Sequence, residues 1–121
     1  SVQYFKVDHK DNIISLNNSD ISFNDILKKY STVVVDVYAD WCIPCKKMFP
    51  KFLKLSQTIG NANIAFCKDN INDKQTIHGN KQYVYNNKVT AVPAYFIYKN
   101  GKLYHYMIGG NMESLQKHIT S

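Results

Sequence analysis

The chain has 121 residues, which suits one domain with a real core, and fifteen lysines against nine acidic residues give it a net charge of +6. None of the basic residues is arginine and the lysines are dispersed, the densest being Lys28-Lys29 and Lys46-Lys47, so the charge does not point to nucleic acid. A basic surface favours encounter with acidic partners, although thirteen asparagines beside fifteen lysines also read as the imprint of an AT-rich genome.

Residues 1–12 alternate briefly through Val2-Tyr4 and Phe5-Val7 before the polar His9-Lys10-Asp11-Asn12, an N-terminal extension that suits an edge strand or a mobile arm. Ile13 to Leu16 reads as a short strand. Asn17-Asn18-Ser19 forms a glycosylation sequon in an expected loop. Ser22 is placed as a helix N-cap, Asp25 as its capping-box partner and Ile21 to staple against Ile26, which predicts a helix to about Tyr30. Val33-Val34-Val35-Asp36-Val37-Tyr38 is too apolar and β-branched for anything but a buried strand, and it carries one carboxylate.

Trp41-Cys42-Ile43-Pro44-Cys45 follows. Beyond it Met48, Phe52, Leu55 and Ile59 share a helical face, with Phe49 and Leu53 beside it. Pro50 should kink this helix and Gly60-Asn61 should end it. Asn63 to Cys67 reads as the next strand. Lys74 to Asn87 is polar around Gly79-Asn80, which predicts a loop to about Lys81 and a short helix near Gln82 to Asn86. Two strand-like runs, Tyr95 to Tyr98 and Leu103 to Ile108, flank Asn100-Gly101, a strong hairpin signal. Gly109-Gly110 breaks the second run, and Asn111 caps a last helix with Met112, Leu115 and Ile119 on one face. Helix-separated strands pair in parallel and the hairpin adds antiparallel pairing. The expected fold is therefore α/β, a mixed sheet with helices on both faces, in a single domain over 1–121.

Two cysteines separated by two residues can close a disulfide with little backbone movement. A helix start supplies unpaired N–H groups and the positive end of the macrodipole, both of which favour a thiolate at Cys42 and make it the candidate nucleophile. Zinc is the competing reading, but Cys67 is the one further cysteine and the four histidines show no ligand spacing, so no metal is expected. A purely structural disulfide is the other. So short a loop removes little unfolded-state entropy, which makes it a poor staple and a good redox switch.

On these residues the chain resembles the thioredoxin family from about Ile13 to Ile119. Val35-Asp36-Val37-Tyr38-Ala39-Asp40-Trp41-Cys42-Ile43-Pro44-Cys45-Lys46 is similar to the family signature along its length, and Pro50, Pro93, Asn100-Gly101 and Gly109 match the kinking proline, cis-proline, hairpin and groove glycine. The resemblance implies the thioredoxin fold and a thiol–disulfide oxidoreductase that reduces protein disulfides. Cys42 would attack the substrate and Cys45, more buried, would resolve the mixed disulfide. Asp36, its pKa raised by desolvation, would exchange the proton with Cys45. Lys68 matches a family lysine near that carboxylate, a solvated lysine being the other reading. Trp41, Ile43, Pro44, Ile71, Val92, Pro93, Ile108 and Gly109 would form the substrate groove, with Val92 offering backbone pairing to an extended peptide.

The resemblance implies no cofactor beyond the Cys42–Cys45 disulfide, with electrons from a small thiol or a donor such as a thioredoxin reductase. Disulfide-containing proteins are the implied partners. The sequence departs from the family in Ile43 where glycine is usual, in Ala91, in a longer segment before Pro93, in a shorter last helix and in extra N-terminal residues. These departures fit an alternative in which the protein is a subunit of an unfolding, translocation or chaperone assembly. No run is long enough for a membrane span and no signal peptide is visible. The start at Ser1 leaves the compartment open between the cytoplasm and, if a targeting segment is removed, a secretory, extracellular or organellar setting. Cys67, in a strand, is expected to be inert.

Overall fold

The computed structural model describes residues 12–18, 20–71, 85 and 88–121. The strand-like stretch before Asn12 and, apart from Tyr85, the helix expected near Gln82 to Asn86 lie outside these residues. The elements are β1 (Ile14–Ser15), α1 (Phe23–Lys29), β2 (Thr32–Tyr38), α2 (Ile43–Ile59), β3 (Ile64–Asn70), β4 (Ala94–Lys99), β5 (Lys102–Ile108) and α3 (Met112–Ile119). Their sheet order is β1-β3-β2-β4-β5, which puts the valine-rich β2 at the centre. Strands β1, β3 and β2 are parallel, as helical crossovers demand, whereas β4 runs antiparallel to β2 and β5 antiparallel to β4.

Local chemistry sets the boundaries. The Ser22 side chain accepts from the Asp25 N–H at 3.3 Å and Ile21 packs in the same layer as Ile26, so α1 begins where its cap and staple place it. Asn111 caps α3 in the same way through the Ser114 N–H at 3.0 Å. Asn100 and Gly101 both have positive φ, 52° and 81°, as a two-residue hairpin turn requires. Helix α2 is continuous through Pro50, which offers no N–H to the carbonyl one turn back.

Alternation along the strands sorts side chains into two layers. Val33, Val35 and Val37 of β2 pack with Cys67, Phe96 and Tyr98 under α1, around Phe23 and Ile26. Val34, Phe66, Tyr95 and Ile97 face the other way, under Phe52 and Leu55 of α2 and Leu115 and Ile119 of α3. A fully buried ring such as Phe52 contributes about 1.5–3 kcal/mol in such a layer. The same period of two puts Asp36, two residues after Val34, and Lys68, two after Phe66, on the α2 side. Asp69, two after Cys67, goes to the α1 side.

Strand β3 is longer than its sequence suggests. It continues past Cys67 through Lys68, Asp69 and Asn70, in register with Asp36, Val37 and Tyr38. These polar residues read as the end of a strand, yet each is buried and held. Asp69 accepts hydrogen bonds from the Tyr85 hydroxyl at 2.6 Å and from Asn17 Nδ2 at 3.2 Å, and Asn70 donates its N–H to Asn17 Oδ1 and its Nδ2 to Asp40 Oδ1, each at 2.8 Å. Asn17 Nδ2 also donates to the Asn70 carbonyl at 3.1 Å. The first residue of the sequon is thus a structural bridge between β1 and β3, its amide already engaged.

Candidate active site

Cys42 is the N-cap of α2. Its backbone is extended, and its Sγ accepts the Cys45 N–H at 3.1 Å, the hydrogen bond that would hold a thiolate in the reduced protein. The two cysteines form a disulfide with their Cα atoms 5.3 Å apart. Burial does not separate them, contrary to the expectation that Cys45 is deeper: Cys42 is 3% exposed and Cys45 4%. What separates them is direction. Cys42 Sγ lies 3.7 Å from the Val92 carbonyl, facing the cis Val92–Pro93 peptide, whereas Cys45 lines a cavity of about 370 Å³ with Asp36, Asp40, Lys46, Phe49 and Lys68.

The outer wall is apolar and open. Trp41 and Ile43 are 66% and 63% exposed, Ile108 is also exposed, and Ile71 and Val92 pack directly against the cysteines. Gly109, at φ 93°, donates its N–H to the Pro93 carbonyl at 2.8 Å, a conformation that carries the chain past the dithiol. Pro44 is exposed in the first turn of α2, and Pro93 is buried at the start of β4. Of the residues read from the sequence as a groove, Ile71 and Val92 pack against the cysteines, Trp41, Ile43 and Pro44 adjoin them in the chain, Pro93 follows Val92, and Ile108 and Gly109 stand at the end of β5 and just after it.

Asp36 is the floor. Burial raises its carboxyl from the ordinary 3.8 to about 7, the Lys68 charge pulling it partly back. Lys68 is only 6% exposed, so the solvated reading fails for it. It is the register neighbour of Asp36, and its Nζ sits 5.4 Å above the centre of the Phe49 ring. Cys67 is fully buried on the opposite side of the sheet, and burial pushes its thiol far above the ordinary range. No group of three or more His, Cys, Asp or Glu among the described residues could hold a metal, and none of the described helices is long and apolar enough to cross a membrane.

The sequence reading missed two sets of residues. Tyr95 pairs in register with Asp36 across β2 and β4, and Asp69, Tyr85, Asn17, Asn70 and Asp40 form a chain of hydrogen bonds ending one residue before Trp41. Carrying the alternation of β3 past Cys67 would have put Asp69 inside. Nothing in the sequence pairs it with Tyr85.

The chain is 36% identical to a thioredoxin of Neurospora crassa over 86 residues, covering 70% of this chain and 63% of that protein. It is 34% identical to thioredoxin-1 of Schizosaccharomyces pombe over 97 residues, covering 80% and 86%. The crystal structure of oxidised mitochondrial thioredoxin 3 from Saccharomyces cerevisiae superposes with a TM-score of 0.71 at 31% identity, covering 89% of this chain and 93% of that one. The Thioredoxin family model matches residues 12–121. Thioredoxins are protein-disulfide oxidoreductases, and with the Cys-X-X-Cys pair closed at the start of α2, this chain is a thiol–disulfide oxidoreductase that belongs to the thioredoxin family.

Proposed function

We propose that the protein reduces protein disulfides, with Cys42 as nucleophile, Cys45 as resolving thiol and Asp36 as the group that exchanges the proton. The observation that carries this is the division of the two sulfurs between two surroundings: Cys42 at the open groove by Val92, Cys45 over the Asp36 cavity. The Cys42 thiolate attacks one sulfur of the substrate disulfide and expels the other, leaving a mixed disulfide. Cys45 gives its proton to the Asp36 carboxylate and attacks Cys42 Sγ, closing the Cys42–Cys45 bond as the second substrate thiolate leaves. Two electrons pass from the dithiol to the substrate. A small dithiol or a reductase returns them, and Asp36 returns the proton.

The groove gives the substrate its place. Trp41, Ile43, Pro44 and Ile108 offer apolar contact, while the Val92 backbone beside cis-Pro93 offers strand-like pairing to an extended peptide. Lys68 helps to keep the ionised Asp36 tolerable without neutralising it outright. The test is reduction of a protein disulfide by a small dithiol. The wild-type protein should accelerate it and Cys42→Ser should not, and a wild-type rate equal to the uncatalysed one would sink the reading.

A further inference from the structure

Two buried side-chain atoms among the described residues have no hydrogen-bond partner: Oδ1 of Asp36 and the hydroxyl of Tyr95. A buried phenol without a partner costs free energy that an equally large phenylalanine would avoid, and an unpartnered carboxylate oxygen costs more. The two residues sit directly opposite each other in the antiparallel pairing of β2 with β4, and both belong to the α2 face of the sheet. Directly opposed residues on one face have their Cβ atoms about 4.5–5.5 Å apart. The two orphan groups thus belong to cross-strand neighbours.

We propose that Tyr95 is a positioning residue for the proton chemistry, its hydroxyl serving as the donor for the ionised Asp36 carboxylate across one bridging water. The inference rests on the reading of Asp36 as proton acceptor and extends it.

Complementarity supports the pairing. A phenol donates one proton and an ionised carboxylate only accepts, so the fit exists in the ionised state and is weaker once Asp36 is protonated. Burial, and after it the charge of an ionised Asp36, raises the pKa of Tyr95, so the phenol keeps its proton and remains a donor. The other charged or titratable groups around the carboxylate come from every element that borders it: Lys68 from β3, Cys45 and Lys46 from α2, Tyr38 from β2 itself and Asp40 from the loop before the dithiol. Of these, Lys68 is the one whose charge lowers the Asp36 carboxyl. Burial in this layer works against the anion, and a donor from β4 supplies what the apolar ring of Phe52, 5.7 Å from the Tyr95 ring, does not.

Tyr95→Phe tests this, since it keeps the ring packed on Phe52 and removes only the hydroxyl. The Asp36 side-chain carboxyl, followed by its carbon chemical shift in the reduced protein, should titrate about one to two pH units higher in the variant. The pH midpoint of disulfide reduction should move by the same amount, with the rate well above it changed little. In an Asp36→Asn background Tyr95→Phe should produce no further change in the pH profile. An unmoved Asp36 titration in Tyr95→Phe overturns the proposal. An Asp36→Asn profile identical to wild type overturns instead the role of Asp36, and the carboxyl titration still reports on Tyr95. Should Tyr95→Phe fold poorly, Tyr95→Leu keeps the position apolar, and the same two readouts decide.

Discussion

The Tyr85 hydroxyl donates a 2.6 Å hydrogen bond to Oδ2 of Asp69, and neither residue has exposed surface. Burial and the Asp69 charge both push the Tyr85 phenol up, so it stays a donor at any ordinary pH. Hydrogen bonds to a charged group are worth about 1.5–3 kcal/mol, and removing the donor also leaves the carboxylate oxygen short of a partner. Tyr85→Phe should therefore lower the unfolding free energy by roughly that amount or more in a denaturant titration. Loss of less than about 0.5 kcal/mol would show that the bond adds nothing net.

Asp36→Asn should change the pH dependence of both rate and stability. The folded protein keeps a proton on Asp36 from the ordinary value of 3.8 up to about 7, while the unfolded chain loses it near the lower figure. Over that window the folded state binds more protons, so stability falls as pH rises, by a few kcal/mol in all, and levels off above about 7. The asparagine variant lacks this slope, and above neutrality it should be the more stable protein. Its turnover should be slower and lack the rise that accompanies Asp36 ionisation. Parallel stability curves for the two proteins would contradict the burial cost.

Cys45→Ser should trap substrates. Without the resolving thiol, the mixed disulfide on Cys42 persists and can be isolated with its partner attached. Cys67→Ser should leave turnover nearly unchanged, because Cys67 is sealed on the far side of the sheet with its thiol fully protonated. Mass spectrometry of the adducts checks the first expectation. A strong rate loss in Cys67→Ser with the fold intact would count against the second.

His105 and His118 stack face to face with centroids 3.7 Å apart, joining β5 to α3, and His118 Nδ1 lies 2.9 Å from the Ser114 carbonyl. Partial burial and the neighbouring His118 lower the pKa of His105 below its ordinary 6.5. The unfolded chain therefore takes up this proton first as the solution is acidified. Stability present near neutrality should be lost as pH falls from about 6.5. His105→Phe preserves the stack and should flatten that acid arm, read from melting temperature against pH.

The framework was legible because it rests on local signals. Ser22, Asn111 and the Asn100-Gly101 turn fix element boundaries by chemistry within a few residues, and the valines of β2 can only be interior. The Cys-X-X-Cys spacing carries the dithiol by itself. The end of β3 was not legible, because Lys68, Asp69 and Asn70 look like loop residues until their distant partners Asp36, Tyr85 and Asn17 are known. Tyr95 was hidden for the opposite reason. It looks like an ordinary core aromatic, and only the cross-strand register sets it opposite Asp36.

The valines of β2 are alike on both sides of the sheet, so an apolar pattern alone cannot tell this strand which way to face. Asp36 breaks that degeneracy, and on the adjacent strand Lys68 and Asp69 break it a second time with opposite signs. Were β3 to slip by one residue against its neighbours, every side chain would change layers. Asp69 would come to lie beside Asp36 as a second carboxylate, and Lys68 would be driven among Phe23, Ile26 and Phe96 with nothing there to solvate it. Either outcome costs far more than a mismatch of valines. The charges on and beside the dithiol face thus also act as a lock on strand alignment, and a chain that has lost them should fold to a mixture of registers before it loses its sheet.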